Sequence, residues 1–161
     1  MLKKPFLYVF LFSILLLSAC SSSKKVIQQN STLKSKSAKI IAKALEYKGV
    51  RYKFGGTTKK GMDCSGIVYV AYASEKVNLP RVSREMAKVG KQTTLRNVVK
   101  GDLLFFKTNR KYRKINHVGL VVSHKKGSIR FVHATSSRGV IVSSLSEKYW
   151  KNAFVKAVKV L

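Results

Sequence analysis

Acidic side chains are scarce in this sequence. Asp and Glu number 6 against 33 Lys and Arg, a formal net charge of +27. That excludes an acidic solvating chain. Cysteine is nearly as scarce, with two in 161 residues. Two thiols cannot build the bridge framework of a small disulfide-stapled scaffold. There is no internal repeat, no Gly-X-Y period and no sustained heptad, so solenoid, collagen-like and coiled-coil classes fall away. No apolar run reaches the roughly 20 residues that a membrane-spanning helix needs. What is present is 45% hydrophobic residues. At this length that supports the core of one domain, not two.

Charge alone suggests nucleic acid, but the first twenty residues argue against it. Lys3 and Lys4 precede an apolar run of twelve residues, Phe6 to Leu17, which ends in Leu17-Ser18-Ala19-Cys20. A positive start, a short apolar stretch and small residues before a cysteine read as a signal peptide over residues 1–19. The box resembles the cleavage site of bacterial lipoproteins. That resemblance implies acylation of Cys20, a membrane anchor (several acyl chains anchor stably where one is marginal) and an outward-facing place in the envelope. Ser21, rather than Asp, follows the cysteine. In a diderm source this implies the periplasmic side of the outer membrane. No aromatic-interleaved basic motif supports a nucleic-acid partner.

Residues 20–36 hold the lipidated Cys20 and a stretch rich in Ser, Lys, Gln and Asn without a sustained apolar period. The expectation is a flexible tether, whose lysines suit anionic headgroups. The domain is expected over residues 37–161. Ala38, Ile41, Ala44 and Leu45 follow a helical period within Ser37 to Tyr47, and Cys64 to about Ser74 reads as a second helix. Residues 80–100 look irregular, with a short helix near Arg84 to Lys88. The period then changes to two. Leu103 to Phe106, Val118 to Ser123, Ile129 to Ala134, Val140 to Ser143 and Phe154 to Val160 read as strands. Helices first and strands after predict an α+β domain, with helices packed on an antiparallel sheet.

With Cys20 carrying lipid, Cys64 is a lone thiol. Asp63 precedes it as a good N-cap, so Cys64 should open a helix, where dipole and free N–H groups favour thiolate. The same run also fits a small residue packed at a helix start. Of the three histidines, alternation puts His117, Gly119 and Val121 on one face of a strand, and Phe131, His133 and Thr135 on one face of the next. If Lys125-Lys126-Gly127-Ser128 is the turn and Gly119 lies opposite His133, then His117 sits diagonally from His133. His124 reads as a solvated turn residue. A metal site is not expected, because the spacings are long and no carboxylate lies near. The set fits a nucleophile, Cys64, a base, His117, and an orienter, His133.

Residues 37–161 resemble the NlpC-type cell-wall endopeptidases. The match runs through Tyr52-Lys53-Phe54-Gly55-Gly56, Asp63-Cys64-Ser65-Gly66, Leu79-Pro80-Arg81 with Ser83, Gly101-Asp102-Leu103-Leu104-Phe105-Phe106, Asn116-His117-Val118-Gly119 and His133-Ala134. Lys100 and Met86 depart from the family, which often has Pro and Gln at these places. The resemblance implies a papain-like fold with rearranged strand order and no cofactor. It implies hydrolysis of peptidoglycan stem peptides between D-γ-glutamate and a diamino acid. It makes Tyr52 a contact of the thiolate or the oxyanion, and Asp63 and Ser65 substrate-holding residues. Arg81 stays outside the expected site as one more surface cation. Lys107, Arg110, Lys111, Arg113 and Lys114 could edge the cleft and attract an acidic substrate, or form a solvated basic face. Two competitors stay open: a tethered peptidoglycan-binding adaptor without turnover, and an acyl transferase or amidase on a related fold. The oligomeric state is not legible.

Overall fold

The computed structural model describes residues 20–109 and 114–161, with side chains from residue 28 onward. Residues 1–19, read above as a signal peptide, lie outside the described residues, as do Arg110, Lys111 and Arg113. The chain divides into two units, Met1–Ser35 and Lys36–Leu161. The second unit carries the sheet, the buried core and the candidate catalytic residues.

The first helix, α1, spans Cys20–Leu45. This corrects the expected tether over 20–36, which is helical. No Gly or Pro occurs between Cys20 and Lys48, so nothing breaks a helix there. The polar side chains turn inward on the backbone, with Ser31 and Thr32 both donating to the Gln28 carbonyl. The apolar face begins at Ile40, and Ile40, Ile41, Ala44 and Tyr47 enter the core. Gly49 follows with a positive φ of 88°, a conformation that ends helices.

A two-stranded ribbon follows, β1 (Thr57–Thr58) and β2 (Gly61–Met62). It leads into α2, Cys64–Ala73, which is capped by Asp63. Short α3, Ser83–Met86, lies close to its expected place. The stretch from 80 to 100 is more ordered than expected. It contains β3, Lys91–Thr93, and a 3₁₀ turn, Leu95–Asn97.

The main strands are β4 (Leu103–Phe106), β5 (His117–Lys125), β6 (Ser128–Thr135), β7 (Gly139–Ser144) and β8 (Phe154–Lys159). Between β7 and β8 lies a helix with no counterpart in the sequence reading, α4, Lys148–Ala153. The six-stranded sheet has the order β3-β8-β4-β5-β6-β7, and every pairing is antiparallel. The α+β class and the helices-on-sheet layering hold.

Both faces of the sheet are covered, which explains the unbroken apolar run of β4. Leu103 and Phe105 face the cluster that contains Ile40, Ile67, Val68 and Tyr72. Leu104 and Phe106 face a second cluster, with Phe131, Trp150 and Ala157. Burying side chains of this size stabilises by about 1.5–3 kcal/mol each. The expected turn joins β5 to β6. Lys125 pairs with Ser128, and Lys126 and Gly127 between them have φ of 48° and 78°. Positive φ at both central residues is the favoured two-residue hairpin. Leu120 lies opposite Val132. One step further toward the start of β5, that register sets Gly119 opposite His133, as expected. A bulge between Val121 and Ser123 then shifts the pairing. His124 corrects the solvated reading. It is half-buried, and its Nδ1 lies 2.7 Å from the Val98 carbonyl oxygen.

Candidate active site

Cys64 is the first residue of α2. Its helix start is fixed by a dense polar network on Asp63, which is almost fully buried. The Gly66 amide donates to Asp63 Oδ1 at 2.6 Å, and the Ser65 hydroxyl donates to the same oxygen at 3.2 Å. The Gly55 amide donates to Oδ2 at 2.8 Å. Arg81 closes the network. Its Nη1 donates to Asp63 Oδ1 at 2.9 Å and to Ser65 Oγ at 2.8 Å. Its Nη2 donates to Asp63 Oδ2 at 2.9 Å and to the Gly56 carbonyl at 3.2 Å. This is a bidentate guanidinium–carboxylate pair. The sequence reading left Arg81 out as a surface cation, and the structure places it beneath the nucleophile loop. Gly66 has its own steric reason, since a Cβ there would overlap the Gly56 carbonyl oxygen.

The thiol meets the start of β5. Backbone N–H groups of Val118, Ser65 and Cys64 itself favour its ionised form. Burial opposes them and prevails, so the Cys64 thiol stands above its ordinary value. The N–H groups at the helix start thus act in the expected direction, and burial outweighs them. Tyr52 is half-buried and bridges in parallel to Met62, two residues before Cys64. Burial, then the charges of Cys64 and Asp63, push its phenol up. The group therefore stays a hydroxyl donor beside the thiol.

Next to Val118, His117 begins a chain of three polar side chains. His117 Nε2 lies 3.0 Å from His133 Nδ1. His133 Nε2 lies 2.9 Å from Ser143 Oγ. All three residues are buried. The two imidazole rings meet nearly edge to face, at 82°. With Nε2 engaged, Nδ1 is the ring nitrogen that His117 has left for a thiol proton.

Aromatic rings seal this chain. Trp150 stacks on His117 at 5.2 Å and 25°, and meets His133 edge-on at 4.5 Å. Phe106 lies 5.9 Å from His117, and Phe131 lies 4.8 Å from His133. Burial lowers both imidazoles. His117 falls to about 4, with Asp63 opposing weakly. His133 falls to about 3, helped by the charges of His117 and Arg138. Both rings are therefore neutral near pH 7, and a neutral His117 is free to act as a base.

Cys64, His117, His133, Tyr52, Asp63 and Ser65 thus gather around one helix start and one strand start. Ser143 and Trp150 were missed in the sequence. The signal for Ser143 was present, since Ile141 and Ser143 share the face of β7 that His133 uses. Trp150 sits on a helix whose short polar sequence gave no period. Among the described residues, no cluster of three His, Cys, Asp or Glu is placed to hold a metal ion.

A cysteine at a helix N-terminus, set against the strand start that carries a histidine, with a third polar residue beyond that histidine, is the papain-like arrangement. The chain belongs to the NlpC/P60 family, whose model matches residues 49–159. It is 40% identical over 125 residues to the murein DD-endopeptidase MepS/murein LD-carboxypeptidase of Escherichia coli, covering 77% of this chain and 63% of that protein. It therefore spans less than two thirds of that relative. It is 34% identical over 157 residues to the probable endopeptidase NlpC of Escherichia coli, covering 94% of this chain and 97% of that one. A lipoprotein-like NLP/P60 family structure from Staphylococcus aureus superposes with a TM-score of 0.69 at 29% identity, covering 79% of this chain and 42% of that one.

Proposed function

We propose that the chain is a cysteine peptidase that hydrolyses the peptide stems of peptidoglycan. The observation that carries this is Cys64 at the start of α2, its thiol against the Val118 amide, with the His117–His133 pair beginning at the neighbouring residue. The names of the relatives, a murein endopeptidase and a probable endopeptidase, support peptidoglycan as substrate. An adaptor has no need for a complete set of Cys64, His117 and His133, and the intact set supports turnover.

In the proposed cycle the Cys64 thiol gives its proton to His117 Nδ1 as its sulfur attacks the scissile carbonyl. A C–S bond forms, and the carbonyl π pair moves to oxygen. The Cys64 N–H has no partner within its helix, so it is available to that oxyanion, with the Tyr52 hydroxyl beside it. His117 then returns the proton to the departing nitrogen, and the C–N bond breaks. Water, deprotonated by His117, attacks the thioester; the C–S bond breaks, the acid leaves, and His117 returns the proton to the Cys64 sulfur. His133 holds the ring of His117 throughout. Asp63 and Ser65 shape the loop on which the stem peptide would lie.

The bond proposed is the one between D-γ-glutamate and the diamino acid. A second reading has an observation in its favour: the 40% identical relative is named a DD-endopeptidase, which implies a cross-link bond. Lipidation at Cys20 and an outward-facing envelope anchor complete the proposal. The basic surface fits that setting, because each of the six acids has a partner inside the protein and most cations are left to attract anionic wall and lipid. The test is incubation of the full chain and Cys64→Ala with purified cross-linked muropeptides, read by mass spectrometry. Fragments cut after the second stem residue support the γ-glutamyl bond, and separated dimers support the cross-link. Binding without cleavage in both proteins would replace the peptidase with the adaptor.

A further inference from the structure

His133 is the third member of the proposed catalytic set, and its far nitrogen is engaged. Ser143 lies on β7 opposite Phe131, while His133 lies opposite Ile141. Ser143 is thus the diagonal neighbour of His133, on the same face of the sheet. That face is otherwise apolar here, with Phe131, Phe106 and Trp150 around it. A buried serine on an aromatic face needs a partner, and its hydroxyl finds one in His133 Nε2 at 2.9 Å.

We propose that Ser143 is a positioning residue that sets the tautomers of both histidines, by accepting a hydrogen bond from His133 Nε2–H. The inference rests on reading Cys64 and His117 as the reacting pair. Two arrangements satisfy the chain of bonds. In one, His117 Nε2–H donates to His133 Nδ1, and His133 Nε2–H donates to Ser143. His117 Nδ1 is then a bare lone pair and can take the thiol proton. In the other, Ser143 O–H donates to His133 Nε2, His133 Nδ1–H donates to His117 Nε2, and His117 carries its proton on Nδ1. That second state has no base facing the thiol. Among the described residues, none with a negative charge is recorded against His133 to choose between them, as a carboxylate would. The first arrangement is the one compatible with Cys64 and His117 as the reacting pair, and Ser143, whose hydroxyl can accept as well as donate, closes it by giving Nε2–H a buried acceptor. The depressed basicity of His133 fits, since the ring must stay neutral to accept from His117 while His117 is charged.

Removing the hydroxyl should invert the chain. Ser143→Ala leaves His133 Nε2–H without an acceptor, and a buried orphan N–H is less tolerable than a bare lone pair. His133 should move its proton to Nδ1, which forces His117 to carry one on Nδ1. The experiment uses the full chain, ¹⁵N-labelled at its three histidines, with Ser143→Ala and Ser143→Thr alongside. Nitrogen shifts at pH 7 report which ring nitrogen is protonated. Alkylation of Cys64 by iodoacetamide, separated from Cys20 by peptide mass, reports proton removal from the thiol without any peptide substrate. The expected result is His117 and His133 both protonated on Nε2 in the wild type. In Ser143→Ala both should shift toward Nδ1–H, with alkylation and kcat down about tenfold, KM unchanged, and Ser143→Thr restored to within about threefold. Wild-type His133 protonated on Nδ1 would overturn the proposal. So would a Ser143→Ala protein with unchanged tautomers and alkylation rate. Failure of the wild type to cleave peptidoglycan would count against the peptidase alone, because neither the spectrum nor the alkylation uses that substrate.

Discussion

Arg81→Ala is the perturbation whose size follows most directly from the geometry. The guanidinium makes two contacts to Asp63, one to Ser65 and one to Gly56, all within 3.2 Å. Its partner Asp63 is 9% exposed in its side chain, and Arg81 itself is 32% exposed. Removing one member of a fully buried ion pair costs about 3–5 kcal/mol, because the other charge is stranded. Three things soften that figure here. Asp63 keeps the Gly66, Gly55 and Ser65 donors, water can enter where Arg81 was, and a third of Arg81 was already screened. The expected loss is about 2–3 kcal/mol. Arg81→Lys keeps the charge but not the fork, and should lose about 1 kcal/mol. Both are read as the shift of the urea midpoint at constant m. The Asp63 cap also orients the first turn of α2, so kcat should fall in the same order. A loss below about 0.5 kcal/mol for Arg81→Ala would refute the argument and return Arg81 to the surface cations.

The remaining predictions concern the reacting groups and their surroundings. Cys64→Ala should keep its thermal midpoint within a few degrees and lose turnover; persisting cleavage would remove Cys64 as nucleophile. His117→Ala should depress kcat/KM more than His133→Ala, since in the proposed cycle His117 transfers the proton and His133 only positions its ring. Equal or reversed losses would contradict those roles. Stability should fall as pH drops below about 6.5, because both histidines titrate lower in the folded state, near 4 and 3, and the unfolded chain takes the protons first. The slope should level off once the folded forms titrate. Between pH 7 and 4.5 the loss is about 2 kcal/mol per histidine, and His133→Gln should flatten it, as measured by urea midpoints across pH. Trp150→Phe should let water nearer His117 and raise its pKa toward the ordinary value, moving the acidic limb of kcat/KM upward. An unmoved limb would show that Trp150 does not govern that burial.

How much of this was legible in the sequence depended on whether the signal was local. Strands β4 to β8 were visible because alternation and the Lys126-Gly127 turn are local. So was the cap at Asp63. The helix over 20–36 was misread as a tether because its composition is polar. A helix needs only the absence of breakers, and that stretch has none. Strand β3 was missed because its sole partner, β8, lies far along the chain and the strand is three residues long. Arg81 was discounted by charge statistics. In so basic a chain, only the position of Asp63 distinguishes one cation from another, and that is a tertiary fact.

The histidines show the same limit at the site itself. Their shared face followed from alternation and register, but their chemistry did not. In sequence, His133 reads only as the orienter of His117. In the folded protein it is part of a neutral design. Trp150, Phe106 and Phe131 pack around the pair, and burial outweighs the charge of Asp63, the anion that favours a cation on His117. The cation formed during proton transfer is therefore short-lived and strongly acidic, which favours handing the proton on to a leaving nitrogen. The same burial raises the Cys64 thiol, so the resting site holds two neutral groups rather than an ion pair. Charge would appear only when a substrate supplies the oxyanion partner and closes out solvent. A resting site of this kind gives a slow thiol in the absence of substrate. For an enzyme proposed to cut the wall that encloses its own cell, that is a restraint built from burial alone.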